Sequence, residues 1–539
     1  MPEPKEAWSS RLGVILAVAG SAVGLGNFLR FPGLAAQYGG AAFMIAYFVA
    51  LLLLGIPIGW AEWTMGRQGG LAGYHSSPGI FHAIVRHPLG KYLGLMGFII
   101  PVVVYMYYVY IEAWCLGYAL NAASGTFSRA GIDYGRFFAE FTGAGANGVA
   151  IQFGLKDVGL FVVLVYVANF YFIYKGLSKG IEFVCKWGMP VLILIALLIL
   201  GRVMTLGTPD PAKPDQNVLN GLGYMWNPHG IWNGFGQPGL GDPQLWLAAA
   251  GQIFFSLSVG FGAIITYASY LRKKDDVVLS GLTAASANEF CEVGLGGLIT
   301  VPAAFVFLGA AGIAGQGTFG LGFNVLPFVF SKMPFGDFFA TIFYVLLFIA
   351  AITSSLSMLQ PGIAFFEEGL RLKRKAAMGA LALLTGLGTM IVWWFSKDLK
   401  ALDTIDFWIG TVGIFIQGMI LVTTYSWILG IEEGWRESHE GAAMRIPGFY
   451  KLVLQFVSPV FLFLVFLMFI GANVLGWNFS LSAPQFHPTS YVTDLVGPNP
   501  SNVARGTFLF TLAVVALIGW LVHLSGRNWA ESESGGNQP

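Results

Sequence analysis

The chain has 539 residues, 56% of them hydrophobic and only 11% charged, with a formal net charge of +1. Soluble domains carry roughly 25% charged residues, so the composition excludes a water-soluble globular protein and describes a polytopic membrane protein. The balanced charge argues against nucleic acid as a partner, since domains that bind it gather basic residues on one face. Cys115, Cys185 and Cys291 lie singly in apolar segments, the pattern of free core thiols rather than of a disulfide framework or metal cluster. The opening "MPEPKEAWSSR" is polar and carries no cleavable signal pattern, so it is expected to stay on the protein, in the cytoplasm.

A spanning helix needs about 20 predominantly apolar residues, and twelve segments qualify. In chain order these spans 1 to 12 lie near 11–37, 41–68, 90–122, 158–176, 181–203, 243–270, 277–309, 337–369, 376–396, 401–427, 449–475 and 507–526. Several exceed the minimum, which predicts tilted or broken helices rather than further spans. With the N-terminus inside, 19 Lys and Arg fall on the cytoplasmic side and 9 outside, Arg30 within span 1 making up the 29. Positive charge collects inside, so both termini are expected there. The longest loops, 123–157, 204–242 and 476–506, then face outward and are rich in Gly, Pro and Asn, as surface connections are.

Span 1 contains "AVGLGNFLRFP" (22–32), with two glycines, an asparagine and an arginine where the bilayer is deepest. "VGLG" at 23–26 returns as "VGFG" at 259–262 in span 6. In a chain with 72 glycines a four-residue match is weak alone, but its placement is specific. Five spans separate the copies, and an odd number inverts the second unit, as in inverted-repeat transporters with a binding site near the midplane. Glycine lowers helix propensity and lets the backbone unwind. Unwound carbonyls at this depth must be satisfied by something other than lipid. A desolvated cation can do so, and the N–H groups of the half-helices suit an anion. Close helix packing by small residues is the competing explanation. Two glycine pairs beside Asn27 and Ser256 favour the site.

Five stretches carry a resemblance: "RLGVILAVAGSAVGLGNFLRFP" (11–32), "GIPIGWAEWTMGRQGG" (55–70), "VYMYYVYIEAW" (104–114), "GQIFFSLSVGFGAIITYASY" (251–270) and "TSSLSMLQP" (353–361). They resemble the neurotransmitter:sodium symporter family, and within it the prokaryotic amino-acid transporters of the leucine-transporter branch. The likeness runs in order from Trp8 through "DFW" at 406–408 into spans 11 and 12. It implies an all-α polytopic membrane protein of one domain (1–539) with 12 transmembrane helices. Spans 1–5 (11–203) and 6–10 (243–427) form inverted five-helix repeats, spans 11–12 (449–526) come after them, and helices 1 and 6 are broken.

Sodium is a hard cation that takes oxygen ligands, and all seven histidines lie in loops or near span ends. The resemblance implies two sodium ions. The first site draws on the carbonyl of Ala22, the amide oxygens of Asn27 and Asn288, and Ser256, where this branch often has threonine. The second draws on carbonyls of Gly20, Val23 and Ala350 with the hydroxyls of Thr353 and Ser354. Those two hydroxyls could instead bond back to their own helix, a common habit in membranes. Position 24 is glycine where amine-transporting relatives carry an aspartate, so the space beside the first sodium is left for a carboxylate of the substrate. A zwitterionic amino acid is therefore expected. Its carboxylate meets the first sodium, the N–H groups near Gly24 and Gly26, and the Tyr108 hydroxyl; its ammonium meets carbonyls of the unwound segments and Ser258. By resemblance Val104, Phe255, Phe261 and Met358 face its side chain, which points to an apolar amino acid. Ala22, Ser256 and Ser354 adjoin both ion and substrate.

The resemblance further implies an outer gate of Arg30 and Asp406 closing through water, with Gln252 beside them and Tyr108 and Phe255 as the lid. On the cytoplasmic side Lys5 and Glu368 form a latch supported by Trp8, Ser269 and Tyr270, with lysine giving a point charge where the family often has arginine. Glu292 stands where chloride-dependent relatives have a small neutral side chain, so its carboxylate is expected to replace the chloride, with protonation on the return step. Glu62 and Glu112 are expected to cap unwound backbone or pair internally. The expected protein is a multi-pass transporter of the cell membrane whose partners are an amino acid and the bilayer, with a homodimer admitted. An enzyme is disfavoured by the lack of a convergent His, Cys or acidic cluster, and a channel by the occluded site. An amino-acid sensor on the same scaffold remains the alternative.

Overall fold

In the computed structural model, the described residues are 8–154, 156–227, 239–314, 316–478 and 485–535. Among them the architecture is all-helical; the single extended feature is an isolated bridge between Trp477 and Phe486. Among the same residues nine helices are long and apolar enough to cross a membrane: Ala41–Leu71, Gly90–Ala123, Leu177–Met204, Val277–Ile313, Gly336–Glu368, Arg374–Trp394, Lys397–Ile428, Tyr450–Val474 and Asn502–Ala530. The pair Arg11–Ala22 and Gly26–Gln37, bent by 47°, makes a tenth. The two remaining segments fall short for physical reasons. Span 4 is the 17-residue Val158–Tyr174. Span 6 is split into Pro243–Leu257 and Ala263–Ala268.

Local chemistry explains where the chain stops and starts. Ser10 caps Arg11–Ala22 by accepting from the Gly13 N–H at 3.0 Å, and Asp276 caps Val277–Glu289 through Leu279 N at 2.9 Å. Pro101, Pro190, Pro302 and Pro361 lie inside long helices, a disruption that neighbouring helices compensate in membranes. The long loops hold short helices that the sequence pattern leaves as connections, including Tyr134–Thr142, Val218–Trp226 and Ser490–Val496. Their apolar contacts with the bundle are tertiary, so periodicity alone carries little trace of them.

Both expected interruptions are present. In span 1 the α-helix ends at Ala22 and resumes in a wide π-type turn from Gly26. In span 6 Ser258, Gly260 and Gly262 take φ values of +54°, +74° and +87°, the left-handed region that ends a helix. The breaks meet: Ser258 Oγ donates to the carbonyl of Ser21 at 3.1 Å. Spans 3 and 8 flank them, packing closely on each other and carrying Tyr108 and Ser354 to the break in span 1.

Gly262 is fixed by more than its dihedral angle, since a methyl there would collide with the backbone of Gly97. Gly262→Ala is therefore expected to cost at least about 1–3 kcal/mol from strain and to lower the melting temperature in detergent. Gly59→Ala is the contrast, because its methyl would meet only Val259 Cγ2 at 3.7 Å; that variant is expected to melt near the wild type.

Candidate functional site

Ser21, Ala22, Gly24, Gly26, Asn27, Tyr108, Phe255, Ser256, Ser258, Phe261, Ser354 and Met358 line one cavity of about 20 Å³ between the breaks. A single water needs about 10–15 Å³, so the walls stand nearly in contact. None of these lining residues is acidic. Gly24 and Gly26 are held small by their surroundings: a Cβ at 24 would lie 2.9 Å from Ser354 Oγ and 3.1 Å from the Tyr108 hydroxyl, and one at 26 would lie 3.0 Å from the Phe255 ring. The Leu25 N–H donates to the Tyr108 hydroxyl at 3.4 Å. Val104 is fully buried one turn earlier on the same helix and is not part of the lining.

Beside the cavity lies a polar knot. Asn27 Oδ1 accepts from Gly24 N at 2.8 Å, and its Nδ2 donates to Asn288 Oδ1 at 2.8 Å. Asn288 Nδ2 donates to Ser256 Oγ at 2.7 Å and to Glu292 Oε2 at 3.2 Å, while Ser256 Oγ donates to Glu292. Gln252 Nε2 donates to the other carboxylate oxygen of Glu292 at 2.5 Å. Gln252, expected beside Arg30 and Asp406, thus has Glu292 as its hydrogen-bond partner. It is fully buried on span 6 and faces span 7. Asn27, Asn288, Ser256 and Glu292 form one oxygen-rich cluster, the donor type a hard monovalent cation takes.

On the opposite side, Ser354 Oγ lies 3.0 Å from the Ala350 carbonyl, 3.4 Å from that of Gly20 and 3.2 Å from that of Ser21. Thr353 bonds back to Ile349 and Ala350 at 3.0 and 3.1 Å. Ser354 therefore bridges spans 8 and 1, whereas Thr353 satisfies its own helix. The Val23 N–H closes the last turn on Ala19 at 2.7 Å. Ser21, whose carbonyl accepts from both Ser258 and Ser354, was not singled out by the sequence; its place just before the break was the available signal.

Arg30 and Asp406 hold separate partners. The Arg30 guanidinium lies 4.7 Å from the Phe255 ring centre, a cation–π distance. Asp406 accepts from the Tyr107 hydroxyl at 2.5 Å. Neighbouring tyrosines on one helix thus point apart, Tyr108 into the cavity and Tyr107 to the Asp406 carboxylate. Of the expected latch, Lys5 lies outside the described residues. Glu368 accepts from His75 N at 2.5 Å, Ser76 N at 2.8 Å and Ser76 Oγ at 2.9 Å. His75 stacks on Tyr270 at 4.4 Å and contacts Ser269 Oγ at 3.0 Å. Trp8 Nε1 donates to the Tyr267 carbonyl at 3.1 Å, and Arg11 pairs with Asp276 at 3.2 Å. These tethers join distant segments, so no local pattern announces them.

Two buried acids hold the frame. Glu62 accepts from the Gly260 N–H at 3.0 Å, filling the gap in span 6. Glu112 accepts from Asn169 Nδ2 at 2.9 Å and Ser355 Oγ at 2.8 Å, tying spans 3, 4 and 8.

The profile of the Sodium:neurotransmitter symporter family matches residues 5–131 and 147–479, and the chain belongs to that family. It is a sodium-dependent multi-pass membrane transporter and not an enzyme. A sodium-dependent transporter of Bacillus subtilis (strain 168), itself described as uncharacterised, is 29% identical over 482 residues, spanning 86% of this chain and 97% of its own. An uncharacterised sodium-dependent transporter of Methanocaldococcus jannaschii is 28% identical over 508 residues, 90% of this chain and 94% of its own. The crystal structure of MhsT in complex with L-phenylalanine superposes with a TM-score of 0.73 at 30% identity, covering 86% of this chain and all of MhsT. Its fold is that of the leucine transporter.

Glu62→Ala leaves the Gly260 N–H buried without a partner, at a cost of about 1–3 kcal/mol. It is expected to melt well below the wild type, and Glu62→Gln, which keeps an acceptor oxygen, to lose less. Equal losses in the two variants would count against the capping role.

Proposed function

We propose that the chain imports an apolar amino acid together with two sodium ions by alternating access, without needing chloride. The observation that carries this reading is the cavity between two broken helices whose lining holds no acid. A ligand there has to bring its own carboxylate to the cation, which an amino acid does and an amine does not. Phe255, Phe261 and Met358 give the remaining wall its apolar character. A relative solved with L-phenylalanine bound supports the same class of substrate.

The first ion is assigned to Ala22, Asn27, Ser256 and Asn288, beside the substrate carboxylate, so that ion and amino acid stabilise each other. The second is assigned to Gly20, Val23, Ala350, Thr353 and Ser354, where it joins spans 1 and 8. Its release toward the cytoplasm would let those spans part. Glu292, in contact with Ser256, Asn288 and Gln252, supplies a carboxylate where chloride-dependent relatives recruit an anion, and takes up a proton on the return step. Admitting a ligand into about 20 Å³ requires Phe255 and Met358 to swing away and then close over it, with Arg30 and Asp406 completing the outer gate. The contacts around Glu368, Ser269, Tyr270 and Trp8 then open on the cytoplasmic side. The inverted repeats 11–203 and 243–427 are the two bodies that rock, and the charge bias of the loops supports cytoplasmic termini in the cell membrane.

Each sodium ion moving down 100 mV yields about 2.3 kcal/mol. Two therefore sustain roughly a thousandfold accumulation of a net-neutral amino acid.

Uptake of labelled amino acids into proteoliposomes is expected with an inward sodium gradient and not with potassium; sodium-dependent binding without uptake would instead mark a sensor. Asn27→Ala is expected to raise the half-saturating sodium and amino-acid concentrations together, each by about tenfold or more. Unchanged affinity for both would remove Asn27 from the site. Glu292→Ser is expected to make uptake rise with added chloride, whereas the wild type stays indifferent to it.

A further inference from the structure

Span 10 carries the gate carboxylate Asp406 near its outer end, and the next residue, Phe407, is gripped from outside the bundle core. The Tyr491 ring stacks on Phe407 with centroids 4.1 Å apart and planes 10° from parallel. Phe469 of span 11 closes a second side at 5.5 Å, and Trp408 a third at 5.1 Å. A second contact joins the same two elements: Lys400 Nζ pairs with Asp494 Oδ2 at 2.6 Å, the two side chains 31% and 21% exposed. Tyr491 and Asp494 are three residues apart on the helix Ser490–Val496, and Lys400 and Phe407 seven apart on span 10. Such spacings put each pair on one helix face, so the short helix meets span 10 face to face at two points.

That helix is itself anchored. Thr489 donates twice to the Asn473 carbonyl of span 11, through N at 3.2 Å and Oγ1 at 2.9 Å. Arg505 Nε at the start of span 12 donates to the Leu495 carbonyl at 2.7 Å, and Ser501 N to the Asp494 carbonyl at 2.8 Å. The outer end of span 10 is thereby braced against spans 11 and 12, which lie outside both proposed repeats.

We infer that Tyr491 and Asp494 are positioning residues for the outer gate, holding Asp406 where the Tyr107 hydroxyl meets it. They act through Phe407 and Lys400 and touch neither substrate nor ion. The inference rests on the proposed role of Asp406 as a gate. Loss of the stack frees the outer end of span 10 to tilt, and bound amino acid escapes faster.

The test uses the purified full-length protein in sodium buffer, loaded with a radiolabelled mixture of the twenty L-amino acids, and tracks release on dilution. Asp406→Asn is expected to speed release; if it does not, the gate assignment fails and takes this inference with it. Given that response, Tyr491→Ala is expected to speed release by about two- to tenfold, with Tyr491→Phe near the wild type because the stack persists. The double variant Asp406→Asn/Tyr491→Ala is expected to release no faster than Asp406→Asn alone, a non-additivity that general loosening does not produce. Wild-type release from Tyr491→Ala, full additivity, or failure of Tyr491→Phe to restore the rate overturns the inference. Should Tyr491→Ala not fold, Asp494→Asn breaks only the ion pair; a smaller acceleration in the same direction supports the inference, and an unchanged rate overturns it.

Discussion

The controlling constraint is that peptide groups released by a broken helix inside a bilayer need partners from the protein or its cargo. Spans 1 and 6 break at the same depth, and the structure divides the exposed groups among them. Some are satisfied permanently, as the Gly260 N–H is by Glu62. Others are met by hydroxyls that can let go, as the Ser21 carbonyl is by Ser258 and Ser354. A break capped wholly in the first manner would be inert scaffold, and one left wholly to the second would not fold unaided. The combination leaves a stable gap with exchangeable oxygen atoms.

Buried acids are expensive in a membrane and mark function or framework. Here their surroundings separate the two. Glu62 and Glu112 each meet neutral donors that connect helices, and neither lines the cavity. Glu292 instead touches Ser256 and Asn288, side chains proposed for the first ion. The difference lies in which neighbours each carboxylate meets.

The two ends of the cavity are closed by different physics. At one, aromatic rings and Tyr107 hold Arg30 and Asp406 at short range near the cavity. At the other, Glu368 gathers the backbone of the loop at His75 and Ser76, while Trp8 and Arg11 strap the first described segment across span 6 and the start of span 7. This second set of contacts draws on several elements, so parting them means separating many modest contacts together.

Much of the fold was legible before any coordinates. Among the described residues, ten of the twelve apolar segments reappear as spanning helices once the bent pair is joined, and the glycines of "VGLG" and "VGFG" marked both breaks, because hydropathy and helix propensity are local properties. Residues such as Asn27, Ser256 and Glu292 could be nominated from a resemblance, but their partners could not. That Gln252 meets Glu292, and that Thr353 turns to its own helix while Ser354 crosses to span 1, are outcomes of packing. The sequence by itself determined a membrane bundle with two weak points at matching places. Tertiary structure alone decided which side chain answers each exposed peptide group, since those contacts join positions up to hundreds of residues apart that only the folded bundle brings within hydrogen-bond reach.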